Sequence, residues 1–265
     1  MIFNSLELYG SQADRLLLYA ETLDTIDEST REGRLLVKAR DELGVNLQPV
    51  KVLHQESAAW PNWADSYTKL LAINQTQYSR IIAMDSDSLL LDSIDELFFV
   101  PPATVVMPRA YWLNTPHMSS HIMVLTPSTD AFQDVQQTIE RKAGYGFYDM
   151  EVMNHVFGRT CQVMPSEPYA LLTGEFRGGD HAAFLGSAPG HGEHIWTPDT
   201  LLNEAKLVHF SDHPLSKPWV ATDEEINSAK PDCSFSAEVG NECRAQDIWM
   251  NFYKTFRNQR ASICS

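Results

Sequence analysis

The chain has 265 residues, 43% of them hydrophobic, and a formal net charge of −15. That length supports one sizeable core, or one core plus an appendage. The acidic balance argues against nucleic acid or an anionic membrane surface as partner, since both select basic patches, and no apolar run of about 18 residues is present to span a bilayer.

A helical pattern over Ile2–Leu8 runs straight into a strand at Arg15–Tyr19. A helix over Glu32–Leu43, a strand over Val50–His54 and a helix over Ser66–Asn74 follow. Strands are expected at Arg80–Met84, Thr104–Met107 and Ile122–Leu125, then helices at Thr129–Lys142 and Asp149–Phe157. Leu207–Phe210 reads as a last strand and Arg244–Arg257 as a last helix. Alternating helix and strand is the signature of an α/β domain with a mixed, mostly parallel sheet. Ligands in such sheets gather beyond the carboxyl ends of strands.

After Trp219 the composition turns polar, so residues 1–220 read as a catalytic body and 221–265 as a tail with one helix. Three of the four cysteines, Cys233, Cys243 and Cys264, lie in that tail, and the fourth is Cys161. No CxxC pair is present, which argues against zinc. A disulfide closing the tail fits an oxidising compartment, with inert thiols as the alternative.

The chemistry concentrates where the apolar run "RIIAM" ends in Asp85-Ser86-Asp87. A calcium loop of the EF-hand type fails, because Leu89 and Leu90 stand where a ligand and the turn glycine are required. A phosphatase using Asp85 as nucleophile lacks a downstream acidic pair for magnesium. The third reading is a divalent cation clamped between the carboxylates and a diphosphate. Asp-x-Asp alone is common in surface loops, but "VHFSDHPLSKPW" supports it from downstream. There an apolar strand ends in His209, and Lys217 follows within reach of a phosphate.

"YTKLLAINQTQYSRIIAMDSDSLLLDSIDELF" together with "VHFSDHPLSKPW" resembles the glycogenin-type glycosyltransferases of family 8, and within them the fungal glucose N-acetyltransferase or α-1,4-N-acetylglucosaminyltransferase type. "SSHIMVLTPS", "YDMEVMNHVF", "YALLTGEF" and "CRAQDIWMNFYKTFR" extend the likeness over nearly the whole chain. The resemblance implies a nucleotide-sugar transferase fold of the A type, a UDP-sugar donor, Mn²⁺ and retention of configuration. It assigns the metal to Asp85, Asp87 and His209, with Asp85 also near the ribose. It places Lys217 on the diphosphate, Lys69 at a phosphate or the donor sugar, and Ser119 and Ser120 along the sugar. Asp149 would orient the acceptor or stabilise an oxocarbenium-like carbon. The acceptor would be a carbohydrate or another small molecule. Relatives of this kind are Golgi proteins, whereas the sequence as written carries no address.

The resemblance also marks departures. The family opens with a strand and turn that cradle uracil and ribose, whereas this sequence begins at the following helix. The alternative function is therefore a binding or scaffolding relative with weakened nucleotide affinity, and a homo-oligomer would cover the strand edge left open. His121 and Glu151 replace glycines beside the expected donor pocket, and His213 stands where a tryptophan is expected. Trp60, Trp63 and Tyr67 read as core or as an acceptor platform, and Gly174–His181 as an acceptor-facing lid from which Arg177 would touch a phosphate. His191 and His194 lack the i, i+4 spacing of a zinc protease, and Asn74-Gln-Thr76 is a glycosylation sequon.

Overall fold

In a computed structural model the described residues are 1–23, 29–55, 63–142, 146–178, 181–186, 196–233 and 243–264. Helix α1 (Ile2–Leu8) leads into β1 (Arg15–Ala20), and α2 (Arg31–Leu43) into β2 (Val45–Val50). Helix α2 has clear boundaries: the Thr30 hydroxyl accepts from Gly33 N at 3.0 Å, and Gly44 ends it in the left-handed conformation. Because β2 starts on the next residue, it pairs in parallel with β1 from Arg15↔Val45 to Ala20↔Val50. The strand expected at Val50–His54 is therefore corrected to Val45–Val50. Pro49 is tolerated within β2 because β1 is its one strand partner among the described residues.

The next helix, Ser66–Asn74, is a 3₁₀ helix. It is followed by β3 (Ile81–Met84), β4 (Ser88–Leu90), β5 (Val105–Pro108) and β6 (Ile122–Leu125). Helices α3 (Thr129–Lys142) and α4 (Asp149–Phe157) precede β7 (Gln162–Met164), α5 (Ser166–Tyr169) and β8 (Leu171–Leu172). The chain ends with α6 (Pro198–Glu204), β9 (Leu207–His209), α7 (Asp223–Ala229) and α8 (Arg244–Ile263).

Two further sheets build the centre, one in the order β3-β6-β5-β7 and the other β4-β9-β8. Pairs β5–β7 and β8–β9 are parallel, whereas β3–β6, β5–β6 and β4–β9 are antiparallel. Alternate residues of β5 and β6 serve two cores. Val105, Met107, Met123 and Leu125 face the 3₁₀ helix, α3 and α4. Val106, Ile122 and Val124 pack with Leu90, Leu97 and Leu207. Burial on both faces explains why these strands read as unbroken apolar runs.

A third core joins Leu89, Val208 and Phe210 to Trp249, Phe252, Tyr253 and Phe256 of α8. The C-terminal helix thus packs directly on the strand that ends in His209. A Cys233–Cys243 disulfide stands at its start, while Cys161 and Cys264 are free thiols. No helix among the described residues is long and apolar enough to cross a membrane.

Candidate active site

The Asp-Ser-Asp stretch is where the chain leaves one sheet for the other. Asp85 N donates to the His121 carbonyl at 2.9 Å, continuing the β3–β6 ladder, and Phe210 N donates to the Asp87 carbonyl at 2.9 Å, beginning the β4–β9 ladder. A sheet change across three residues turns both aspartates toward the end of β9. The pairing Ser88↔His209 places the imidazole opposite them.

The result is a compact donor set. Ligand atoms of Asp85, Asp87 and His209 all lie within 4.8 Å of one another. His209 Nε2 is 3.7 Å from Asp85 Oδ2 and 3.4 Å from Asp87 Oδ1. The other oxygen of each carboxylate is held by a lysine: Lys69 Nζ sits 2.7 Å from Asp85 Oδ1, and Lys217 Nζ pairs with Asp87 Oδ2. Two carboxylate oxygens and one ring nitrogen therefore face a common point, a mixed set that suits a borderline-hard divalent cation. His209 Nδ1 is buried without a hydrogen-bond partner among the described residues. The residues fit a metal.

Behind the lysine lies a second carboxylate. Lys69 Nζ is also 2.7 Å from Asp149 Oδ2, the first residue of α4. That oxygen accepts from Ser120 Oγ at 2.5 Å as well. Burial pushes the Asp149 carboxyl up, but Lys69, Ser120 and Ser66 outweigh it and hold the group below its ordinary range. Burial likewise opposes the charge on Lys69, and Asp149 and Asp85 more than restore it. Asp87 is raised by burial and lowered further by His209 and Lys217, ending below the usual carboxylate range. For Asp85, burial prevails over Lys69 and His209, and its carboxyl is raised.

Seven of the eight residues singled out in the sequence converge here, in two layers. Asp85, Asp87, His209 and Lys217 form one, and Lys69, Asp149 and Ser120 the other. Ser119 stands apart, its hydroxyl 2.6 Å from His121 Nδ1. His121 is buried. Its Nε2 lies 3.4 Å from the Tyr169 carbonyl and its ring 5.0 Å from that of His209. Burial, then His209 and Lys69, push its pKa well below the ordinary value, so it is a neutral wall behind the donor set. Glu151 is used as a helix cap, accepting from Tyr148 N at 3.0 Å.

Tyr67 is core, with its hydroxyl on the Phe147 carbonyl. Trp63 is exposed and sits edge-on to Tyr148 at 5.3 Å and 6.2 Å from His213. These three rings flank Asp149 and the loop carrying Lys217. Trp60, His191 and His194 lie outside the described residues. Sequence reasoning missed Ser66, whose hydroxyl lies 3.4 Å from Asp149 N, and Asp212, a buried carboxylate three residues past His209. An acidic residue directly after an apolar strand, with Trp249 and Tyr253 one helical turn apart downstream, was the available signal.

No protein-family model matches the chain. Among solved structures, galactosyltransferase LgtC in complex with donor and acceptor sugar analogs superposes with a TM-score of 0.57 at 13% identity, over 96% of this chain and 90% of that one. Glycosyltransferase GlyE of Streptococcus pneumoniae TIGR4 gives 0.53 at 13% identity, over 95% and 60%. The fold is that of the A-type nucleotide-sugar glycosyltransferases.

In sequence, the chain is 42% identical over 272 residues to glucose N-acetyltransferase 1 of Gibberella zeae. It is 39% identical over 283 residues to glucose N-acetyltransferase 1 of Aspergillus fumigatus. Both alignments take in 100% of this chain, which spans 58% of the first relative and 72% of the second. The chain belongs to the glucose N-acetyltransferase 1 family.

Proposed function

We propose that the chain transfers a hexosyl or N-acetylhexosaminyl group from a UDP-sugar to a carbohydrate acceptor, with retention and with Mn²⁺ at Asp85, Asp87 and His209. The observation that carries this reading is the convergence of that donor set with Lys69 and Asp149 on one side and Lys217 on the other. A divalent cation held there supplies positive charge to the departing diphosphate. Lys217, part-exposed and paired with Asp87, moves onto a phosphate oxygen when the donor enters. Lys69 keeps Asp149 ionised and in one orientation, so that its charge faces the sugar carbon as the bond to UDP lengthens. The acceptor hydroxyl approaches on the face from which UDP leaves. Its oxygen bonds to the sugar carbon as the carbon–phosphate oxygen bond breaks, and its proton passes to that oxygen. Trp63, Tyr148 and His213 offer the acceptor an aromatic wall beside Asp149.

The names of the fungal relatives join glucose to an N-acetyl group, and an N-acetylhexosamine donor reconciles that with a sugar-nucleotide fold. The Cys233–Cys243 disulfide supports a lumenal, oxidising setting such as the Golgi. Calorimetric titration of UDP with and without Mn²⁺ tests the reading. Binding that requires Mn²⁺ is expected. Absence of UDP binding in both conditions would overturn it and favour a scaffolding relative.

A further inference from the structure

Asp212 is the most completely buried charged side chain near the site, 1% exposed, yet among the described residues its side-chain hydrogen bonds go to neither the donor set nor Lys217. Its partners come from elsewhere. Trp249 Nε1 donates to Oδ1 at 3.1 Å and Tyr253 OH donates to Oδ2 at 2.8 Å, both from α8. Arg177 Nη1 lies 3.5 Å from Oδ1.

We propose that Asp212 is a positioning residue that locks the loop carrying His209 and Lys217 onto α8. The inference deepens the transferase reading above, since it says how that site is held.

The loop is a short arc fixed at its ends and its middle. Phe210 N is bonded to the Asp87 carbonyl at 2.9 Å, Leu215 N to the Asp212 carbonyl at 2.8 Å, and Val220 N to the Lys217 carbonyl at 2.9 Å. Ser211 N donates to Thr173 Oγ1 at 3.0 Å and Ser216 Oγ to Glu225 at 2.9 Å, one bond each, whereas the Asp212 side chain takes bonds under 3.2 Å from two donors of one helix. Fastening α8 to the sheet does not require a charge. Phe210, Phe252 and Phe256 already form an apolar contact there, and a buried carboxylate is generally no more stabilising than an apolar group of similar size. A carboxylate does add direction. Two donors on successive turns of one helix fix both oxygens, and with them the backbone between the metal ligand and the phosphate lysine. Burial, then Asp212, raise the Tyr253 hydroxyl far above its ordinary pKa, so it remains a donor throughout the working range.

The test compares Asp212→Asn with Phe252→Leu, which weakens the same helix contact without touching Asp212. Wild type and both variants are titrated with UDP and Mn²⁺, and hydrogen exchange is followed at residues 209–221. Asp212→Asn is expected to weaken UDP binding about tenfold and to speed exchange selectively at Phe210 and Leu215. Phe252→Leu should lower the melting temperature by a similar amount and leave affinity within about twofold. Equal losses of affinity in the two variants, or unchanged exchange in Asp212→Asn, would overturn the proposal. Should Asp212→Asn fail to fold, Tyr253→Phe removes one donor in nearly the same volume, and about a threefold loss of affinity with the same exchange signature is expected. An unchanged affinity and exchange there would refute it. If the wild type binds no UDP, the transferase reading fails, and the exchange comparison still decides the role of Asp212.

Discussion

Asp87 and Asp212 are both buried carboxylates at one end of the β4-β9-β8 sheet, but they keep opposite company. Asp87 is surrounded by groups that can leave: Lys217, on a side chain 31% exposed, and His209, whose ring nitrogen stands 3.4 Å off. The two short bonds to Asp212 come from groups that cannot, an indole and a phenol embedded in the α8 core, and only the longer contact, Arg177 at 3.5 Å, is part-exposed among its described partners. The first arrangement is electrostatically satisfied yet replaceable, as a site for an incoming cation and diphosphate must be. The second is fixed through its two helix donors. Two residues of one type, a short stretch of strand apart, thus divide exchange from anchoring by the mobility of their partners.

The sharpest way to break this comparison is Asp87→Ala. Removing one of two carboxylates that face a common point should abolish the Mn²⁺-dependent part of UDP affinity, a loss of at least about a hundredfold, or roughly 2.7 kcal/mol. Lys217, left unpaired, can rehydrate, so the melting temperature should change by no more than a few degrees. Calorimetry beside a thermal melt checks both halves. Retained Mn²⁺-dependent binding would remove Asp87 from the site.

Asp212→Ala should show the reverse emphasis in urea unfolding. Trp249 Nε1 and Tyr253 OH would be left as buried orphans, each costing about 1–3 kcal/mol, so a destabilisation of about 2–6 kcal/mol is expected. A loss under about 1 kcal/mol would mean that water replaces the carboxylate and that no anchor exists.

Reducing the Cys233–Cys243 disulfide releases a loop with a sequence separation of 10 at the start of α8. Loop-closure entropy puts the effect at about 2–3 kcal/mol. Dithiothreitol should lower the melting temperature, while UDP affinity stays within about twofold, because the anchor at Trp249 lies beyond the first turn of the helix. A reductant that abolished UDP binding without melting the protein would move control of the site to the helix start.

Much of this was legible in the sequence for identifiable reasons. Asp85, Asp87 and His209 each end or follow an apolar strand, and in a sheet fold strand ends converge. Lys217 could be placed because it follows His209 at short range. What stayed hidden depends on contacts between distant segments. Strands β4, β7 and β8 are only two or three residues long, too short for a period to register. The shift of the second strand to Val45–Val50 turns on Pro49 lying in an edge strand, a tertiary fact. For His121, the sequence does not reveal that the Tyr169 carbonyl lies 3.4 Å from its ring nitrogen. Asp212 was passed over as loop, since its donors lie 37 and 41 residues away.

The smallest effect sharpens the comparison from the solvent side. Glu96 accepts from Lys206 Nζ at 2.6 Å and Tyr169 OH at 2.7 Å, partners as well placed as those of Asp212, but its side chain is 43% exposed. Burial raises its carboxyl, and Lys206 and Tyr169 outweigh that and lower it below the ordinary value. A carboxyl depressed in the folded state contributes stability above its unfolded pKa and loses it as the pH falls through the folded one. Solvent screening keeps that contribution small, under about 1 kcal/mol. Glu96→Gln should therefore cost a few tenths of a kcal/mol near neutral pH, and less in acid, where the wild-type group is itself protonated. Urea midpoints of the two proteins at neutral and acidic pH measure the difference. A cost approaching that of Asp212→Ala would show that partner geometry, and not burial, sets the strength of these contacts, and the distinction drawn between Asp87 and Asp212 would then have to rest on the donors' chemistry alone.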